Sequence, residues 1–113
     1  MHELSLAIQI VEMATEETTK AGSNTIMEIE LEVGTLAGVD VEALTFAMES
    51  AVIGSLAENA RVNIIQIPAL AQCNNCQETF PVEDLFTVCP DCQSYDTRLI
   101  KGSELRLKSL LVD

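Results

Sequence analysis

Basic side chains are scarce in this chain. Its 113 residues hold six Lys and Arg against eighteen Asp and Glu, a formal net charge of −12. Binding a phosphate backbone takes clustered Lys and Arg, so this balance argues against a nucleic-acid partner. Histidine is scarcer still: His2 is the only one. Nucleophilic sets of the Ser-His-Asp or Cys-His kind need an imidazole beside the nucleophile. With the sole His at position 2 and every Cys committed elsewhere, no such set can be assembled, and the chain is read as no enzyme. Long apolar runs are missing as well, for none approaches the ~18 residues of a membrane span. Met1-His2-Glu3 is not the basic start of a secretory leader. The expected compartment is the cytoplasm, with no membrane partner.

What is there suits a small globular protein. Hydrophobic residues make up 48% and charged residues 21%, which excludes a disordered tail. The length allows one modest domain, or one domain carrying a small insert. Charge is unevenly spread: residues 1–60 hold Lys20 as their one base and eleven acids, which places −10 of the −12 there. That acidity is either a solvated face or a surface that attracts cations or a basic protein partner.

Along the chain, Leu4, Ala7, Ile8, Val11 and Ala14 recur at helical spacing, widened by Leu6, Ile10 and Met13, and predict a helix ending at a Gly22 cap. From Thr25 to Gly34 the period becomes two. Met27, Ile29, Leu31 and Val33 are expected on a buried face, and Glu28, Glu30 and Glu32 on a wet one. Asp40 stands as an N-cap before a second helical stripe of Val41, Leu44, Thr45, Met48, Ala51 and Val52. The β-branched run 62–67, closed by Pro68, predicts a second strand, and the alternation of Leu105, Leu107 and Leu111 a third. Two helices on a three-stranded mixed sheet give a two-layer α+β domain from 1–70 plus 101–113. Residues 71–100, without periodicity, form an insert.

That insert holds all four cysteines. Cys73-Asn74-Asn75-Cys76 and Cys89-Pro90-Asp91-Cys92 are two C-x-x-C pairs separated by twelve residues. Two residues between thiolates let both sulfurs face one centre, and two such knuckles supply tetrahedral ligands for a closed structural zinc site. A rubredoxin-like iron site also suits the spacing, and disulfides or redox thiols are the third alternative, disfavoured in a cytosolic compartment. The insert's apolar residues, chiefly Phe80, Val82, Leu85, Phe86 and Val88, are too few to hold it, so a metal would act as its staple. Knuckles of this kind often carry Gly after the second Cys; here Gln77 and Gln93 stand there, at a cost in turn strain.

A lone histidine is ordinarily a surface or capping residue, but position 2 gives His2 another use. The α-amine of Met1 and the His2 amide nitrogen close a five-membered chelate ring, and that amide with imidazole Nδ1 closes a six-membered one. A fourth nitrogen, from the Glu3 amide or another donor, would complete a square plane, the geometry preferred by Ni(II) and Cu(II).

The opening Met1-His2-Glu3-Leu4-Ser5-Leu6-Ala7, the Val33-Gly34 strand end, the Gly38-Val39 to Phe46-Ala47 helix and two C-x-x-C pairs ahead of Gly102-Ser103-Glu104-Leu105 resemble the HypA/HybF family of hydrogenase-maturation nickel chaperones over the full length. The resemblance implies a zinc ribbon inserted in an α/β domain, with Zn(II) structural and Ni(II) as transferred cargo. It further implies delivery to the [NiFe]-hydrogenase large-subunit precursor with a partner GTPase, and it leaves monomer and homodimer both open. Carried over by position, Met1, His2 and Glu3 form the nickel site, Cys73, Cys76, Cys89 and Cys92 the zinc site, and Asp40 is a candidate accessory group. Departures are the two missing knuckle glycines, Met48 in place of an aromatic, and the tail Ser109-Leu110-Leu111-Val112. None touches a proposed ligand. The alternative without a second metal is a zinc-ribbon module that binds another protein.

Overall fold

A computed structural model describes residues 2–84 and 87–113. Met1, named above as a nickel ligand, and Leu85 and Phe86, named among the insert's apolar residues, lie outside the described residues. The element order is α1 (Glu3–Lys20), β1 (Ile26–Gly34), α2 (Val41–Ala51), β2 (Arg61–Ile67), β3 (Leu70–Cys73), β4 (Thr79–Pro81), β5 (Thr97–Lys101) and β6 (Leu105–Val112). The expected two helices and mixed three-stranded sheet are present, with strand order β2-β1-β6. In a second sheet, β4-β3-β5, Cys73 ends the central strand and Cys76 lies in the turn that follows it.

By their contacts the residues group into two compact units. One comprises Met1–Glu32, Val39–Ile65 and Arg106–Asp113; the other comprises Val33–Gly38 and Gln66–Leu105. In the first unit α1 and α2 pack against each other. The α1 stripe that is buried runs Ala7, Ile10, Val11, Ala14 and Thr18, a narrower band than expected: Leu4, Ile8 and Met13 are exposed. Its end closes as read. Gly22 takes a φ of 80°, its amide reaches the Thr19 carbonyl, and the Ser23 amide reaches Thr18, so two last-turn carbonyls are satisfied. Asp40 caps α2, its carboxylate accepting the Ala43 amide at 3.2 Å. Leu44, Ala47, Met48 and Val52 are the buried residues of that helix and its end, and Met48 fills its core position with a flexible thioether.

The alternation on β1 is corrected by the structure. Ile26, Ile29 and Leu31 are buried, but Met27 is exposed and Glu32 is buried to 8% exposure. The expected wet acidic face is instead a partnered one. Glu32 pairs with Arg106, Glu28 accepts from Asn63 Nδ2 at 2.9 Å and lies 3.8 Å from Arg61, and Glu30 accepts from Ser109 at 2.6 Å. The reason is that β1 is the central strand. Side chains from β2 and β6 flank its polar face and supply partners that one strand alone does not reveal.

In the second unit, β3 pairs antiparallel with β4 and β5, with Ala71 opposite both Phe80 and Leu99. Ala69, Ala71, Cys73, Phe80, Val82 and Cys89 form its core, with Leu36, Cys92 and Leu99 packed against it. Two glycines let backbones meet there. A Cβ on Gly34 would lie 2.0 Å from the Gly102 carbonyl oxygen, and one on Gly102 would lie 2.4 Å from Ala69 Cα. The same approach carries hydrogen bonds from the Gly34 amide to the Glu104 carbonyl at 2.7 Å and from Leu36 to Gly102 at 2.8 Å.

Candidate metal centre

The sulfurs of Cys73, Cys76, Cys89 and Cys92 all lie within 4.8 Å of one another. The nearest pairs, Cys73 with Cys92 and Cys76 with Cys89, are both separated by 3.6 Å. A tetrahedral ion with metal–sulfur distances of ~2.3 Å has edges of about 3.8 Å, so the cluster has the dimensions of a four-thiolate metal site. A disulfide would need sulfurs at ~2.05 Å, so the disulfide reading is not realised.

Each knuckle is built the same way. After Cys73, the amides of Asn75 and Cys76 point at its sulfur at 3.3 and 3.4 Å, and the Gln77 amide closes the turn on the Cys73 carbonyl at 2.9 Å. After Cys89, the amides of Asp91 and Cys92 do the same at 3.4 and 3.5 Å, and Gln93 closes on the Cys89 carbonyl at 2.9 Å. Inward amides place partial positive charge at the sulfurs. The turns force Gln77 and Gln93 to φ values of 68° and 60°, the left-handed conformation in which glycine was expected. Each side chain reaches back over its turn, Gln77 Nε2 to the Asn74 carbonyl at 3.1 Å and Gln93 Nε2 to Pro90 at 3.5 Å.

Within this shared frame the four cysteines differ. Cys73 and Cys89 are buried in the unit's core, Cys92 is half-buried and Cys76 is exposed. The Ser94 backbone and then the Asn75 side-chain amide bring the Cys92 thiol down to about 7. For Cys76 the Glu78 backbone also lowers the pKa, but desolvation and the three neighbouring sulfurs prevail and raise it to about 12. A divalent ion entering here must displace protons from such groups.

Sequence reasoning passed over the first knuckle's asparagines. Asn74 donates to Asp96 at 3.1 Å and accepts from Arg98 Nε at 3.2 Å, while Arg98 also reaches Gln72 at 2.6 Å. Asn75 Nδ2 lies 3.6 Å from the Cys92 sulfur. Only their place between ligands could have marked them, since their partners come from distant sequence.

The amino-terminal residues lie in the other unit. His2 is exposed and extended, with φ −84° and ψ 95°, and caps α1 without a side-chain hydrogen bond. The first helical bond of α1 runs from the Leu6 amide to the His2 carbonyl at 3.1 Å. The structure brings Glu3 and Asp40 together: Glu3 Oε2 accepts the Asp40 amide at 3.3 Å. Two carboxylates thus stand at the starts of α1 and α2, where helix dipoles favour negative charge. Among the described residues, no helix is long and apolar enough to cross a membrane.

Fold and site define a small α+β protein with a four-cysteine metal ribbon. The family described as "Hydrogenase/urease nickel incorporation, metallochaperone, hypA" matches residues 1–112, and this chain belongs to it. It is 44% identical over 112 residues to the hydrogenase maturation factor HypA of Parabacteroides distasonis, covering 99% of this chain and 97% of that one. The HypA of Geobacter sulfurreducens is 40% identical over 113 residues, covering both chains fully. The solution structure of the Ni metallochaperone HypA from Helicobacter pylori superposes with a TM-score of 0.72 at 25% identity, covering 99% of this chain and 97% of that one.

Proposed function

We propose that this protein is a cytoplasmic nickel metallochaperone, not an enzyme, that binds Ni(II) through Met1, His2 and Glu3 and delivers it to the [NiFe]-hydrogenase large-subunit precursor with a partner GTPase. Nickel handling belongs to the α/β domain, 1–70 plus 101–113. The insert, 71–100, is a ribbon stapled by structural Zn(II) on Cys73, Cys76, Cys89 and Cys92. Zinc is preferred to iron there because no redox role is in view, and bound zinc would supply folding energy to a ribbon with a small core.

The observation that carries the nickel reading is where the helix begins. Square-planar binding requires the His2 and Glu3 amides to lose their protons. Both precede the first helical hydrogen bond, made by Leu6, so neither gives up a helical partner on deprotonation. The exposed imidazole of His2 has no capping duty to abandon. Glu3 and Asp40, joined by the Asp40 amide, add negative charge beside the cargo and hold the tripeptide at the start of α2. Asp40 is the accessory group in this reading, acting through its amide and its cap.

The test is a Ni(II) titration of untagged protein with a free amino terminus, repeated with an acetylated terminus and with His2→Ala. Either change should abolish tight nickel binding and leave zinc content and helical signal intact. One tightly held nickel with an unchanged spectrum in the His2→Ala protein would overturn the mechanism. Zinc loading with no nickel uptake by the free terminus would favour the ribbon interaction module.

A further inference from the structure

The two knuckles are built alike, and one difference between them breaks the symmetry. Cys73 and Cys89 each accept two backbone amides, while Cys92 also faces a side-chain donor from the opposite knuckle, Asn75 Nδ2 at 3.6 Å. The residue in the equivalent place of the second knuckle is Asp91, whose side chain carries no amide N–H to donate. Cys76, the sulfur that a donor there would serve, is the exposed member of the four.

We infer that Asn75 is a positioning residue for the four-cysteine metal site, a cross-knuckle N–H···S donor that holds the Cys92 thiolate. This rests on the reading of the four thiols as a metal site. Donors to ligand atoms orient them and tune their basicity, and removing one typically costs ten- to a hundred-fold in metal affinity. A neutral amide donates to sulfur and spreads the negative charge that four thiolates place on a divalent ion. Asn75 also bridges the halves of the ribbon, so the Cys92 knuckle cannot drift from the Cys73 knuckle without breaking the bond.

The variants are Asn75→Asp, which keeps the shape but replaces the donor by a second carboxylate, and Asn75→Ala. Asn74→Ala is the control, because Asn74 braces Asp96 and Arg98 and, among the described residues, its side chain makes no hydrogen bond to sulfur. Full-length protein is loaded with Co(II) and its sulfur-to-metal charge-transfer band recorded. Zinc transfer to a chromophoric chelator is measured beside it. Asn75→Asp should shift the band to lower energy and weaken zinc binding about tenfold or more, with Asn75→Ala between it and wild type. Asn74→Ala should leave band and zinc affinity unchanged. An unmoved band in Asn75→Asp, or equal effects from Asn74→Ala, would overturn the inference. If wild-type protein takes up neither Co(II) nor Zn(II), the metal reading itself fails, a result distinct from either.

Discussion

Replacing Gln77 tests the reasoning about the knuckles most directly. Its φ of 68° costs an ordinary L-residue about 1–2 kcal/mol relative to the right-handed regions. The 3.1 Å bond from its Nε2 to the Asn74 carbonyl returns about 0.5–1 kcal/mol, at the low end of a net hydrogen bond because the site is exposed. Glycine would remove the conformational cost but lose that bond, and would release about 0.5–1 kcal/mol more backbone entropy in the unfolded chain. The terms nearly cancel, so Gln77→Gly should change stability by no more than about 0.5 kcal/mol. Valine loses the bond and adds a β-branch, for which positive φ is an outlier, so Gln77→Val should cost about 2 kcal/mol. Metal binding and ribbon folding are linked, so these energies appear in apparent zinc affinity, where 1.4 kcal/mol is a factor of about ten. Competition with a chromophoric chelator at fixed pH should show Gly within about threefold of wild type and Val weaker by about thirtyfold. At Gln93 the side-chain bond is longer, 3.5 Å, so glycine should be the more favourable there. A tenfold tightening by Gln77→Gly would show that the side chain contributes nothing, and a neutral Gln77→Val would refute the strain argument.

Gly34→Ala and Gly102→Ala should each unfold the cysteine-bearing unit, since their Cβ atoms would meet backbone at 2.0 and 2.4 Å; proteolysis and loss of zinc are the readouts, and a soluble, zinc-loaded variant would contradict the packing described. Arg106→Leu should destabilise the α/β unit by about 1–3 kcal/mol by leaving the Glu32 carboxylate buried without its partner, measured by denaturant melts of the zinc-loaded protein. Glu32→Gln with Arg106→Leu should recover part of that loss. Metal loading of the ribbon should weaken as pH falls, and its proton release should rise by one per metal as pH drops through about 7. Above that pH the lowered Cys92 is already a thiolate, while Cys76, at about 12, releases its proton throughout. Isothermal calorimetry in buffers of different ionisation enthalpy counts those protons.

Much of this was legible from local pattern alone. The two C-x-x-C pairs specify a convergent four-sulfur site because the spacing sets the turn, and the place after each second Cys, where glycine is common, marked a strained turn for Gln77 and Gln93. The Asp40 cap and the Gly22 terminus were readable because capping involves neighbours within a few residues. Partners that arrive from far along the chain were not legible. Arg106 covers Glu32 from seventy-four residues away, so a strand that alternates as if half wet is in fact partnered on both faces. Met27, placed by its period among buried residues, is exposed because strand alternation says which residues share a face and nothing of how far along the strand the cover extends. The turn Val33–Gly38 joins the cysteine-bearing unit through amides that meet Ile67, Gly102 and Glu104, contacts between backbones that no side-chain pattern encodes. Asn75 became a neighbour of Cys92 only once both knuckles closed on a common centre. The covalent chain determined which atoms could bind metal; the tertiary structure decided which of them are held, and by what.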